Sequence, residues 1–385
     1  MKKMSLLIGF IAFIALLDGC DQEHQGARDR NSVTSSRLSE LLSPGDLEGY
    51  ALALEPREFS FPSDHGPHPE YRNEWWYVTG NLDAAGGGRF GFELTIFRFA
   101  LAPPGEGQAD LSSGWATNQV YIGHFALTDV AAGRFHVAER VARGALGLAG
   151  AQAEPLRVWV EDWRLQEADR DADQWNIHAV DGDVELSLLL DALKPPVLNG
   201  TGGLSQKSSK RGNASYYYSI PRFQTEGKLS VAGETHDVSG LAWLDREWGS
   251  SALSAGQEGW DWFALQLSDG SELMYYNLRR TDGSNDAHSA GTFIPGEGDS
   301  VHLARQDVTV VVNDYWDSPG GGRYPMGWTI AVPRLDLLLQ VEPVLEAQEL
   351  ITNVRYWEGA VDVTAERAGK PVAGRGYVEL TGYAR

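Results

Sequence analysis

What most limits the fold of this chain is a succession of short runs rich in aromatic and β-branched residues, punctuated by glycine, asparagine, aspartate or proline. In the first half these are "EWWYVTGNLD", "GRFGFELTIFRFAL", "NQVYIGHFALTDV", "LRVWVEDWRLQ", "WNIHAV" and "VELSLLLDAL". "YYYSIPRFQTEGKLSV", "HDVSGLAWLDREWGSS", "GWDWFALQLSDGSELMYYNLRR", "DVTVVVNDYW", "MGWTIAVP", "LDLLLQVEP" and "GYVELTGYAR" continue the pattern in the second. Closely spaced strand-like runs with few helical stretches predict an all-β protein built of barrels or sandwiches. At 385 residues the chain is too long for one ordinary core, so two domains are expected. A short echo supports this. "WYVTGNLD" (Trp76 to Asp83) and "WFALQLSD" (Trp262 to Asp269) place Trp, an aromatic, an apolar run and Asp at equal offsets. The expected parts are an N-terminal domain over 59–240 and a C-terminal domain over 241–385.

The N-terminus reads as a targeting segment. Lys2 and Lys3 precede an apolar stretch, Leu6 to Leu17, too short to span a bilayer comfortably. It ends in "LLDGC", whose Cys20 is the only cysteine of the chain. This resembles a bacterial lipoprotein signal over residues 1–19, with Cys20 as the lipidated residue. Asp18 departs from the small neutral residue usual in such signals, and an ordinary secretory signal is the alternative. Residues 20–58, polar and turn-rich, read as a tether and arm. The expected location is therefore extracytoplasmic, on the periplasmic side of the cell envelope, held by the lipid. Net charge is −21, and −22 once two lysines and Asp18 leave with the leader. So acidic a surface repels nucleic acid and anionic headgroups, which excludes DNA or RNA as expected partners.

Several chemistries lack support. There is no G-x-S-x-G and no H-E-x-x-H, and the glycine-rich "DAAGGGR" and "SPGGGR" precede no helical pattern, so they read as hairpin loops. "SDHGPHPEY" offers Asp64, His65, His68 and Glu70 as possible zinc ligands, but reads better as a rigid entry loop with solvated histidines. No metal or cofactor is expected.

More informative are acids set among tryptophans. On a strand through "NEWWYVTGNL", Glu74, Trp76, Val78 and Leu82 share one face and Trp75, Tyr77 and Thr79 the other. The first face is apolar, so Glu74 is expected inside a barrel, with Arg72 as its same-face partner. In "GLAWLDREWGSS", Trp243, Asp245 and Glu247 alternate onto one side, and Leu244, Arg246 and Trp248 onto the other. Asp261 in "GWDWF" shares a face with Phe263, Leu265 and Leu267, where burial raises a carboxyl pKa. Each such acid is either functional or a structural charge, neutralised in the case of Asp261 by Arg246 or Arg222. Glu74, Trp76, Tyr77, Trp243, Trp248, Trp260 and Trp262 are the candidate ligand-binding residues.

The motifs "HPEYRNEWWYVTGNL", "QVYIGHFALTD", "YYYSIPRF", "LAWLDREWGSS", "GWDWFALQL", "YWEGAV" and "GYVELTGY" resemble the family of AttH-type proteins and carotenoid 1,2-hydratases. They run from His68 to Tyr383. The resemblance implies two consecutive lipocalin-like antiparallel β-barrels. It also implies either association with an ABC transporter, as for AttH-type members, or cofactor-free hydration of isoprenoid C=C bonds.

Three functions follow as expectations. The first is an envelope lipoprotein holding an apolar, lipid or isoprenoid-like ligand inside its barrels. The second is a hydratase in which Asp261 is the acid, Asp245 or Glu247 orients water, and Trp243, Trp260 and Trp262 stabilise a cation through their π-faces. The third is a scaffold docking a membrane partner through its acidic surface.

Overall fold

The computed structural model describes residues 47–384, apart from 106–113, 115, 170–172 and 252. The expected leader, Cys20 and most of the tether lie outside the described residues. The rest is all-β. Among the described residues the helical segments are three single 3-10 turns, Ser63–His65, Arg305–Asp307 and Pro333–Leu335.

The strands form two antiparallel sheets, one of thirteen strands and one of ten. Each is built on one plan: its first long strand lies between the second strand and the last. Asn73–Ala84 pairs with Arg89–Ala100 and with Glu234–Gly249 in the first sheet. Gln257–Leu267 pairs with Glu272–Arg280 and with Lys370–Leu380 in the second. Both sheets curl. In the first, Arg134–Arg143 at one end meets Arg157–Val160 near the other. In the second, Leu303 from one edge and Val310 and Val312 from the other cover the same core. The first sheet includes all of Glu234–Gly249, which runs through the expected junction at 240/241; the sheets change over between Gly249 and Gln257.

The two echoing segments occupy equivalent strands, but their tryptophans do not correspond. Trp76 enters the core of the first sheet, whereas Trp262 faces the other sheet and its neighbour Phe263 enters the core of the second. The echo is out of phase by one residue, and a slip of one reverses every face.

The barrel interiors are filled. Trp76, Trp163 and Trp248 are fully buried in the first core, Trp328 and Trp357 in the second. The central strands are buried on both faces, because one packs inward and the other against the second sheet. Thus eleven of the twelve residues of Asn73–Ala84 are buried or half-buried, whereas the edge strand Thr309–Asp317 has no fully buried residue. This explains why "EWWYVTGNL" is aromatic on both faces. The sheets approach so closely that a Cβ at Gly91 would lie 2.5 Å from Cβ of Ala360. Bonds across the seam reinforce the contact. The Lys194 ammonium, from the loop after Val184–Ala192, and the Arg222 guanidinium, from the first sheet, both bind Glu272 of the second, at 2.7 Å and 2.5 Å.

Candidate functional site

A cavity of about 70 Å³ lies between the sheets, lined by aromatic, acidic and lysine side chains. Register explains how it is built. In an antiparallel sheet, residues directly opposite share a face. Tyr77, Asp245 and Ser219 form one row across three strands of the first sheet, and Trp75, Glu247 and Tyr217 form the next. Tyr276, Trp262, Glu379 and Glu358 form a row across four strands of the second sheet. These rows face one another. Trp260, Tyr356, Phe97 and Leu253 complete the wall.

Asp245 is the best-supported acid. Its carboxylate accepts hydrogen bonds from Ser219 Oγ at 2.5 Å, from Trp243 Nε1 at 2.7 Å, and from the Tyr217 hydroxyl. Burial pushes its pKa up to about 7, against the lowering effect of those three donors. Glu379, from the opposite sheet, accepts a hydrogen bond from Trp260 Nε1 at 3.0 Å, and burial raises it to about 7 as well, with Asp245 and Glu247 adding to the effect. Two carboxyls poised near neutrality thus share one apolar cavity.

The third polar element is an ion pair. Lys207 Nζ lies 3.1 Å from Glu247 Oε1 and 4.3 Å from the centre of the Tyr276 ring. Burial would lower the lysine pKa, but Glu247 and Tyr276 outweigh it and keep the ammonium charged. Ser205 Oγ bridges Lys207 Nζ to the Tyr276 hydroxyl at 3.0 Å on each side.

Of the residues expected from sequence, Tyr77, Asp245, Glu247, Trp260 and Trp262 line the cavity, and Trp243 supports it through Asp245. Asp261 is elsewhere. It lies on the opposite face of its strand from Trp260 and Trp262, bound to Arg279 Nε at 2.9 Å and to the Tyr383 hydroxyl at 2.8 Å. Its expected neutralisers are engaged otherwise: Arg246 binds Glu74, and Arg222 binds Glu272.

Glu74, Trp76 and Trp248 belong to the first barrel. Glu74 is fully buried between Arg98 and Arg246, which come from other strands, rather than held by Arg72 on its own face. Burial raises its pKa, but the two guanidiniums outweigh that and hold it well below the usual carboxylate range. The Arg246 guanidinium sits 3.9 Å over the Trp76 ring.

The expected solvated histidines are buried. His65 Nδ1 pairs with the Tyr218 hydroxyl at 2.7 Å, and His68 stacks on Trp248 at 3.8 Å while reaching Asp64 at 3.0 Å. The loop closes the barrel end, so its polar groups pair internally. Among the described residues no group of three or more acidic, histidine or cysteine side chains is placed to hold a metal.

Lys207, Tyr217, Tyr276, Tyr356 and Glu379 were not found from the sequence. Lys207 sits in a turn-rich "SQKSSK" segment, and Glu379 is the single acid in "GYVELTGY". Alternation places Glu379 on the face of Tyr377 and opposite Val378, but only cross-strand register brings it to Trp262.

Comparisons with known proteins agree with the architecture. The profile described as AttH-like matches residues 52–383. A crystal structure of an AttH protein from Nitrosomonas europaea is 34% identical, with a TM-score of 0.76, over 86% of this chain and 99% of that one. Kievitone hydratase from Nectria haematococca shares the fold at 17% identity, with a TM-score of 0.65, over 89% of this chain and 98% of that one. The dehydratase asqC of Emericella nidulans is 26% identical over 215 residues, which is 51% of this chain and 58% of that relative's length.

Proposed function

The chain belongs to the AttH-like family, and from that footing we propose that it is a cofactor-independent hydro-lyase acting on a C=C bond of an apolar, isoprenoid-like molecule. The observation that carries this reading is the meeting of Asp245 and Glu379, one from each sheet, in a single aromatic cavity, both with pKa about 7. General acid–base catalysis is most effective when the catalytic pKa lies near the working pH. Relatives named as a hydratase and a dehydratase support the class of reaction.

The steps balance as follows. Protonated Asp245 gives its proton to one alkene carbon, whose new C–H bond leaves a cation on the other. Trp75, Trp260 and Trp262 present π-faces to that charge. Water attacks the cation, and ionised Glu379 takes the proton released as the C–OH bond forms. The Lys207–Glu247 pair orients the water. Run backwards, the same groups dehydrate an alcohol. The cavity admits the reacting end of a ligand and not a whole lipid, which favours chemistry over storage.

The test is turnover in ¹⁸O-labelled water with a set of acyclic isoprenoids. Product that has gained one labelled water supports the proposal. Retention of an unchanged lipid at one per chain, with no product, returns the protein to the carrier function expected from sequence.

The proposal includes a lipid tether at Cys20 on the periplasmic side of the envelope, beside an ABC transporter. The leader-like pattern ending at the single cysteine supports the tether, and the AttH resemblance supports the transporter. Cys20→Ser is expected to move the chain from the membrane fraction to the soluble fraction; unchanged membrane retention would remove the tether from the proposal.

A further inference from the structure

Behind the cavity lies a set of buried polar groups that the hydration steps do not use. Glu358 stands directly opposite Glu379 in adjacent strands. One oxygen, Oε1, accepts a hydrogen bond from the Tyr77 hydroxyl; the other, Oε2, is buried with no hydrogen-bond partner, and the Tyr356 hydroxyl is among the groups that act on the carboxyl. The Tyr356 hydroxyl is 2.7 Å from His124 Nδ1, and His124 Nε2 is 3.1 Å from Glu139 Oε2. Glu358 and His124 are fully buried, whereas the Glu139 side chain is 13% exposed and is also bound by Asn353.

We propose that Glu358, Tyr356 and His124 form a proton relay joining the inter-sheet cavity to the outer surface at Glu139. This rests on the hydro-lyase reading of the cavity. The hydrogen-bond roles are fixed from the outside inward. Burial favours a neutral Glu139, but His124 and Asn353 outweigh it and keep the carboxylate ionised, so it accepts from Nε2–H. Nδ1 is then the acceptor for the Tyr356 O–H, which leaves the tyrosine oxygen to accept from Glu358. Burial, with the nearby Glu93 and Glu379, pushes the Glu358 carboxyl well up and favours the protonated form, which is the form that can donate. Tyr77 and Tyr377 are the other groups that act on this carboxyl.

In one transfer the Glu358 O–H bond breaks as Tyr356 receives that proton and passes its own to Nδ1, while Nε2 gives its proton to Glu139. One proton leaves the interior. Glu358 is left ionised and takes the proton that Glu379 gained from water, which resets the cavity base; Asp245, left ionised by its transfer to the alkene, takes one proton back from solvent, so each turnover releases one proton and consumes one. The relay residues are positioning and transfer groups, and none touches the reacting carbon.

The test needs no substrate. The infrared C=O stretch of protonated Glu358, identified by its loss in Glu358→Gln, is followed after mixing into D2O at pH 7. In His124→Gln the amide keeps an acceptor toward Tyr356 and a donor toward Glu139 but carries no titratable nitrogen. The deuterium shift of the band is expected to slow at least tenfold in His124→Gln and in Tyr356→Phe, with thermal melts showing both variants folded. Exchange at the parental rate in the folded variants, or absence of the band from the parent, would overturn the relay. Neither outcome touches the hydro-lyase proposal, which is read by turnover.

Discussion

Asp245→Asn is expected to lower hydration turnover by about 10²- to 10⁴-fold, the usual contribution of a positioned general acid. The amide keeps the size of the carboxyl: its oxygen can still accept from Ser219 and Trp243, while its NH2 can donate to the Tyr217 oxygen once that hydroxyl turns, so the fold is expected to be retained. The loss should fall on kcat more than on KM, because Asp245 acts on the transition state. The pH profile carries the sign. Activity requires Asp245 protonated and so declines above about 7; it requires Glu379 ionised and so declines below about 7. With both groups near the same value, the parental profile is a narrow bell centred close to neutrality. In Glu379→Gln the acidic limb is expected to disappear along with most of the rate. A flat profile between pH 5 and 9 would remove both carboxyls from the chemistry.

Arg246→Met is expected to cost about 3–5 kcal/mol of folding stability, the typical penalty for breaking a buried ion pair from one side. Arg246 is fully buried and serves three ends at once: it binds Glu74, donates to the Gly66 carbonyl at 2.5 Å, and covers the Trp76 ring. Methionine fills the volume and supplies none of these. The pH dependence follows from Glu74, whose folded pKa is depressed. A depressed carboxyl contributes stability that is present above its unfolded pKa and is lost as pH falls through the ordinary carboxylate range and below. The parent should therefore lose stability steeply on acidification. In Arg246→Met that slope flattens, because only Arg98 remains to hold Glu74 ionised. Urea unfolding at pH 7 and pH 4 measures both effects. Equal stability of parent and variant at pH 7 would show that the Arg98 pair alone suffices.

The sequence carried the fold class, and the reason is local. Period-two alternation and turn residues specify strands directly, so the face assignments of Trp243, Asp245 and Glu247 against Leu244, Arg246 and Trp248 match the observed packing. What it did not carry was the direction of each face. A strand buried on both sides reads the same whether a face points into a barrel or toward a second sheet. Trp76 and Tyr77 are adjacent and both aromatic, yet one fills a core and the other lines the cavity. Asp261 illustrates the same ambiguity. Its apolar face is the interior of the second barrel, where Arg279, eighteen residues on, neutralises it. The site itself depends on register between strands far apart in the chain. Glu379 meets Trp262, and Asp245 meets Tyr77, only through the pairing of those strands.

The seam between the sheets also accounts for the composition. A protein with two independent barrels would bury aromatics on inner faces and expose polar residues outside. Here the outer faces of the central strands form a second buried layer, and that layer holds the acids. Carboxyls in it are desolvated from both sides, which lifts Asp245, Glu379 and Glu93 together; Glu93 reaches about 8. The same burial that closes the two sheets on one another raises the carboxyls that the proposed chemistry would use.

The account turns on chemistry between the sheets rather than inside a barrel, and a side-by-side assay of Asp245→Asn and Asp261→Asn tests that most directly. Both variants, shown folded by near-ultraviolet circular dichroism, are offered the same acyclic isoprenoids in ¹⁸O-labelled water. Loss of labelled product in Asp245→Asn with product retained in Asp261→Asn is the expected result. Retention in Asp245→Asn with loss in Asp261→Asn would place the acid in the second barrel and contradict the account.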